Sequence, residues 1–244
     1  EIAGELLAIR GRVIPSTVSQ VTLVGRTVSG KTLIGETQVG TSADRLGSLT
    51  LIPANPPAHP EAVRAIENAD MVVVGPGSLF TSIVPNLLIS NISTALANSP
   101  AFKIYVCNVA EEPAQTEGYN VLDHLNIVRH YGGQNSFDAV ISNSNLPDGP
   151  TPAGLKFIQS DKPWDDKVLL VEADVIDEVH TARHDSVKLS NVIAETYSKY
   201  RGTRRRLPRV RLNIKQRQTG IRRVVMNDNK EPDSFAVRQN GDYP

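Results

Sequence analysis

Cysteine is nearly absent: Cys107 is the single one in a chain of 244 residues. No disulfide framework can form, and its place inside the apolar run Lys103-Ile-Tyr-Val-Cys-Asn108 predicts a buried, reduced thiol, as expected in the cytoplasm. No apolar stretch approaches the ~18 residues a membrane helix needs, and no charged-then-apolar leader opens the sequence, so no membrane span is expected. Neither a Walker nor a Rossmann glycine fingerprint occurs, and there is no serine-centred nucleophile elbow. The five histidines, at positions 59, 124, 130, 180 and 184, form no cluster at zinc spacing. Scattered carboxylates leave room for Mg²⁺ and nothing more specific. Aromatic residues make up only 5% of the chain, which leaves its basic segments without a stacking platform and makes nucleic acid an unfavoured partner.

What is present suits one large α/β domain with an appendage, because a chain of this length with 40% hydrophobic residues can bury a sizeable core. The formal net charge of zero conceals a division at residue 200. Residues 1–200 carry 14 Lys/Arg against 22 Asp/Glu, whereas residues 201–244 carry 12 against 4. A basic tail on an acidic body implies tail-to-body contact or an anionic outside partner, self-docking or solvation being the simpler reading. The chain begins with Glu1 rather than Met, and Glu5 to Arg10 reads as the end of a helix stopped by Gly11, so a preceding segment is expected.

The patterning separates the chain into two parts. Gln20–Arg26 and Lys31–Glu36 read as strands joined in a hairpin through Val28-Ser-Gly30, with Ser48–Ile52 as a third strand. After a proline-rich loop, Pro60 suits the first turn of a helix, since a first-turn residue donates no helical hydrogen bond. From there helix and strand alternate: a helix to about Asn68, strand Met71–Gly75, helix Asn86–Asn98, strand Lys103–Cys107, helix Tyr119–Tyr131, strands Phe137–Ser142 and Lys167–Glu172, and helix Lys188–Lys199. The strands are apolar runs, as required when helices cover both faces of a sheet. The expected fold is α/β: a three-layer α/β/α, Rossmann-like arrangement on a mostly parallel sheet, with the β-hairpin as an insertion. Residues 1–200 form this body. In the tail, 201–244, Arg209–Arg217 and Ile221–Met226 flank Thr219-Gly220 and read as a β-hairpin with arginines on one face, followed by a frayed end.

The leading functional feature is the strand Met71–Gly75 running into Pro76, Gly77, Ser78 and Leu79. Loops at the carboxyl ends of parallel strands line the binding crevice of such folds, glycines let backbone N–H groups approach a ligand, and the hydroxyls of Ser78, Thr81 and Ser82 can donate to phosphate oxygens. A plain tight turn explains the same residues equally well. Asn108 ends the next strand and can read a sugar or base by paired donor and acceptor, or can simply form a turn. Asn143 and Asn145 close another strand, as contacts or as loop caps. Asp123 and His124 invite a proton-transfer reading, but adjacent helical residues point about 100° apart, and a structural role is favoured. Ahead of the last helix, Asp185 reads as an N-cap, and Arg183 is the first choice of cation for an anionic ligand.

Taken together, Ile9 to Thr17, Ala69 to Leu88, Tyr105 to Asn108, Thr116 to Tyr119, Asp123-His124 and Val179 to Asp185 resemble the YvcK-type gluconeogenesis-factor family of the CofD-like superfamily. The resemblance spans about residues 1–200. It implies a regulator of central carbon metabolism, cell-wall growth and cell shape, more a ligand-binding protein than an enzyme, that binds UDP-N-acetylglucosamine or a dinucleotide-like ligand. A homo-oligomer is expected. The superfamily alternative is a CofD-type 2-phospho-L-lactate transferase acting on a deazaflavin cofactor precursor. By similarity, the wall Gly75, Pro76, Gly77, Ser78 and Leu79, together with Asn108 and Arg183, faces the ligand. Phe157 stands near a position where the family often has a ligand-holding tyrosine; it keeps the stacking face and loses the hydroxyl. The family opens with a Gly-Gly-Gly-Thr-Gly phosphate loop that this sequence does not contain, so half of such a site is expected to lie outside it.

Overall fold

Apolar runs that need cover on both faces, separated by amphipathic segments, leave a sandwich of helices about a parallel sheet as the arrangement that buries both. The computed structural model has this form. It describes residues 11–146, 154–160, 164 and 167–200 and the backbone of 211–214. The helix end read over Glu5 to Arg10 and the tail strand read over Ile221 to Met226 lie outside the described residues.

The first unit is an antiparallel sheet of three strands, β1 (Thr22–Thr27), β2 (Thr32–Ile34) and β3 (Leu46–Ile52), in the order β2-β1-β3. Its register pairs Val24 with Ile34 on one side and with Thr50 on the other, which turns Leu23, Leu33, Leu49 and Leu51 inward. A short helix, α1 (Glu36–Thr41), follows β2. The sequence pattern misses it, because Val39 is its only buried side chain and one apolar anchor sets no period.

The second unit is a parallel sheet of five strands: β4 (Met71–Val74), β5 (Phe102–Val106), β6 (Ala139–Asn143), β7 (Leu169–Ala173) and β8 (Arg211–Ile214), in sequence order. Every residue of β5, β6 and β7 is buried, as both-face cover demands, whereas β4 at the edge is half-buried throughout. The last strand departs from expectation: Arg211–Ile214 pairs in parallel with β7 and extends the main sheet.

One face of the sheet, through Tyr105, Val140 and Leu170, packs under helices α2 (Pro60–Glu67), α4 (Ser90–Asn98) and α5 (Val121–Gly132), and the same core takes in the leucines of the antiparallel sheet. The other face, through Ile104, Ile141 and Val171, meets α6 (Ser186–Tyr200). The single helix expected over Asn86–Asn98 is instead a π-helical turn, Leu79–Ile83, continuing into the short α3 (Val84–Leu87), then a break and α4. Leu87 and Ile89 flank the break and are both buried; extended backbone at Ile89 turns the chain by about 80° so that both segments reach the core. No single helix among the described residues is long and apolar enough to cross a membrane.

Two buried polar side chains tie these layers together. Lys103 on β5 donates through Nζ to the carbonyls of Leu96 and Ser99 at 3.3 Å and of Ala97 at 3.5 Å, so its charge sits on the negative end of α4. His124 on α5 is fully buried and shares a 3.2 Å hydrogen bond between Nδ1 and the Tyr105 hydroxyl. Its neighbour Asp123 closes a capping box with Asn120 at the start of α5, so the pair favoured as structural in the sequence is structural here.

Burial pushes the His124 imidazole down from 6.5 to about 4. The folded value lies below the unfolded one, so the unfolded chain binds the proton more readily; the neutral ring's contribution is complete above pH 6.5 and is lost as pH falls through the interval between the two values. Urea denaturation of wild type and His124→Phe should therefore show the stability difference, wild type minus variant, falling by about 2 kcal/mol between pH 7.5 and pH 4.5. A difference that does not change with pH would contradict the assignment.

Candidate functional site

Strand β4 ends at Val74, and Gly75 takes φ +90, a conformation L side chains rarely adopt. A Cβ there would stand 2.8 Å from the Val106 carbonyl oxygen of β5, so glycine is required both by the backbone and by its neighbour. The chain then passes through a cis peptide to Pro76, and the π-helical turn begins at Leu79. This carries Gly77 and Ser78 across to the end of β5.

There the two strand ends are joined by side chains. The Gly77 N–H donates to Asn108 Oδ1 at 3.4 Å, Asn108 Nδ2 donates to Glu112 Oε1 at 3.4 Å, and the Ser78 hydroxyl donates to the same Glu112 oxygen at 2.7 Å. Glu112 is held by its own backbone, whose N–H donates to Thr116 Oγ1 at 2.9 Å. Its second carboxylate oxygen, Oε2, is buried with no hydrogen-bond partner.

The loop after β7 closes the other side. A backbone bridge between Ile176 and His184, with Asp177 N–H donating to Arg183 O at 3.0 Å and Asp185 N–H to Val175 O at 2.8 Å, folds residues 174–185 back on themselves. Lys188 Nζ pins this loop to α6 by donating to Asp174 Oδ2 and Ile176 O, both at 3.1 Å. Asp185 accepts from the Lys188 N–H at 2.7 Å, as its N-cap reading predicts. His184 Nε2–H donates to the Cys107 carbonyl at 3.1 Å; burial lowers its pKa, only partly offset by that carbonyl, so the ring is held neutral near pH 7. The Cys107 thiol is fully buried and burial pushes its pKa up, which makes it an inert core group.

Between these loops lies a cavity of about 470 Å³ at the carboxyl ends of the parallel strands. Of the residues singled out in the sequence, Pro76, Gly77, Ser78, Asn108 and Arg183 all line it. Three do not. The Leu79 side chain is fully buried in the core, Gly75 lines a separate cavity of about 410 Å³ beside β4, and Phe157 is half-buried and paired through its backbone with Ala110 while Leu155 takes the lining position. At the second cavity Arg12 pairs with Glu61 and Ser16 with Asn86, leaving a mainly apolar lining of valines, isoleucines and leucines. Asn143 and Asn145 cap their own loop: Asn143 donates to Asn145 O at 2.6 Å and accepts from Val175 N–H at 3.2 Å.

The sequence reading missed Glu111 and Glu112, which also line the cavity. Their visible signal was a pair of carboxylates just past the end of an apolar strand. Glu111 is 3.9 Å from Lys156 Nζ, and among the described lining residues Arg183 is the one lysine or arginine. No group of three or more His, Cys, Asp or Glu suited to a metal ion occurs among the described residues.

The close approach at Gly75 can be tested apart from its backbone conformation, because Gly30 has φ +91 and nothing within 4 Å of its Cβ position. Gly75→Ala should lose about 2 kcal/mol or more in urea denaturation, and clearly more than Gly30→Ala, which bears the backbone cost alone. Equal losses would show that the Val106 carbonyl imposes nothing.

Comparison with known proteins agrees with this fold. A family model described as 2-phospho-L-lactate transferase CofD matches residues 1–161. A protein of Nostoc sp. is 35% identical over 207 residues, covering 80% of this chain and 45% of its own length, and the gluconeogenesis factor of Bacillus subtilis is 30% identical over 207 residues, covering 78% and 63%. The crystal structure of a UPF0052-family protein from Bacillus halodurans superposes with a TM-score of 0.70 at 26% identity, covering 79% of this chain and 65% of that one. The chain therefore spans less than two thirds of the length of these relatives. With most of the chain matched by the family model and the fold shared with a solved relative, it belongs to the CofD family, and gluconeogenesis factors are among its relatives.

Proposed function

We propose that this chain supplies one wall of a nucleotide-sugar site, with UDP-N-acetylglucosamine as the expected ligand, in a cytoplasmic regulator of carbon metabolism, cell-wall growth and cell shape. The observation that carries the reading is the convergence of Gly77, Ser78, Asn108 and Arg183, from three separate strand ends, on a single cavity. In a parallel α/β sheet that crevice is where ligands sit. A volume of about 470 Å³ lies in the range of small-molecule sites. Arg183 offers a planar fork to a diphosphate, and the amide and hydroxyl groups opposite suit a sugar. The gluconeogenesis factors among the relatives support the regulatory side of the proposal.

A second reading rests on the matching family description: transfer of a phospholactyl group to a deazaflavin precursor. The observation on its side is the Ser78 hydroxyl donating to Glu112 at 2.7 Å, the geometry of a hydroxyl beside a base, whereas His184 is bonded to a backbone carbonyl. Incubation with the nucleotide-activated phospholactate, the deazaflavin acceptor and Mg²⁺ separates the two readings, since product formation would favour the transferase.

Isothermal titration of the intact protein with UDP-N-acetylglucosamine should give saturable binding that Arg183→Ala weakens by tenfold or more, the loss of a charge-assisted pair. No binding, or binding indifferent to Arg183, would overturn the proposal.

A further inference from the structure

Among the described residues the antiparallel sheet contributes nothing to the lining of the cavity, yet both loops of the wall at the ends of β4 and β5 rest on that unit. Helix α1 backs the turn after β4: a Cβ added at Gly40 would meet Thr81 Cγ2 at 3.5 Å. Arg45, one residue ahead of β3, backs the loop after β5, its guanidinium carbon 5.4 Å from the centre of the Tyr119 ring, a cation on an aromatic face. Tyr119 also joins the two loops to each other. Its ring meets Phe80 edge-on with centroids 6.3 Å apart, and Phe80 is buried two residues beyond Ser78. The Tyr119 N–H donates to the Thr116 carbonyl at 3.1 Å. Thr116 in turn exchanges two hydrogen bonds with Glu112: its N–H donates to the Glu112 carbonyl at 3.0 Å, and its hydroxyl oxygen accepts from the Glu112 N–H at 2.9 Å. Of residues 111–120 Thr116 alone is fully buried, and the Tyr119 ring supplies the loop's apolar contact with the core. A chain of contacts thus runs from Arg45 through Tyr119 and Thr116 to Glu112, and it ends where Ser78 donates to that carboxylate.

We infer, with the nucleotide-sugar reading of the cavity as its basis, that Arg45 and Tyr119 are positioning residues for the ligand site, through which the antiparallel sheet sets where Glu112 and Ser78 stand. Neither residue lines the cavity. Both act through the loop that carries Glu112, so their effect on affinity exceeds their effect on folding. Arg45 is exposed, where a cation on a ring adds little to global stability. A binding group, by contrast, must be held to within a fraction of an ångström of its productive place. The antiparallel unit thereby becomes part of the site without touching its ligand.

Two measurements on the intact protein separate placement from folding. The first needs no ligand: amide hydrogen exchange at Glu112 and Thr116 should quicken in Tyr119→Leu, and to a smaller degree in Arg45→Ala, with the amides of β6 and β7 unchanged. The second is calorimetry with UDP-N-acetylglucosamine, where Tyr119→Leu should weaken binding about tenfold and Arg45→Ala about threefold, while Tyr119→Phe and Arg45→Lys, which keep the ring and the cation, should stay within about twofold of wild type. Tyr131→Phe is the control for lost stability. It removes the hydrogen bond that the Leu49 N–H donates to the Tyr131 hydroxyl at 3.1 Å, a contact between the antiparallel sheet and α5 away from the loop, and should leave affinity unchanged. Arg45→Ala, an exposed substitution, stands in if Tyr119→Leu fails to fold. Unchanged exchange at Glu112 and Thr116, or an affinity that falls as much in Tyr131→Phe as in the Tyr119 and Arg45 variants, overturns the inference and leaves the nucleotide-sugar site standing. Absence of binding by the wild type overturns that site, and the exchange measurement then decides by itself whether Arg45 and Tyr119 position the loop.

Discussion

The contact on which the site depends is the approach of Gly75 to the carbonyl oxygen of Val106. Two neighbouring parallel strands end side by side, and the first must turn across the end of the second without a side chain between them. A Cβ at 2.8 Å from that oxygen leaves no room for any residue but glycine, and φ +90 points the chain toward Asn108 rather than away from it. Everything that lines the cavity on this side follows. Gly77 reaches Asn108, Ser78 reaches Glu112, and the π-helical turn from Leu79 carries the chain back into the core.

The opposite side is built by different means. Among the described residues the loop from Asp174 to Asp185 has no strand partner beyond one backbone bridge, and its position comes from Lys188 beneath it and from His184 hydrogen-bonded to the end of β5. That bond crosses 77 residues of sequence to the Cys107 carbonyl, next to the Asn108 that the other wall uses. The carboxyl end of β5 is thus the common anchor of both walls, and it is among the most deeply buried parts of the molecule. A rigid anchor of this kind holds loop residues in place without ordering them anew on each binding event.

Much of this was legible in the sequence. Apolar runs marked β4, which ends at a glycine, and β5, which ends at Asn108, the capping residue Asp185 marked the start of α6, and the spacing argument kept Asp123 and His124 out of the chemistry. What could not be read depends on contacts between distant residues. Glu112 matters because Ser78, 34 positions earlier, donates to it, and no local pattern encodes that meeting. The direction of that bond is equally hidden, since a serine read alone is as able to donate as to accept. The break at Leu88–Ile89 was hidden because both of its flanks are apolar, and helix α1 because one valine defines no period. Phe157 was placed by family resemblance, and the short pairing of its backbone with Ala110 leaves Leu155 to face the cavity.

The central claim is that ligand enters at the carboxyl ends of β4 and β5, against the turn that Gly75 makes possible, and not in the apolar cavity beside β4. Amide chemical-shift mapping during titration of the isotopically labelled intact protein with UDP-N-acetylglucosamine addresses this directly. The account predicts the largest shifts at Gly77, Ser78, Asn108, Glu112 and Arg183, with Ala62, Ala65 and Ile66 of the second cavity unmoved. Shifts centred on Ala62, Ala65 and Ile66, with Asn108 and Arg183 silent, would contradict it.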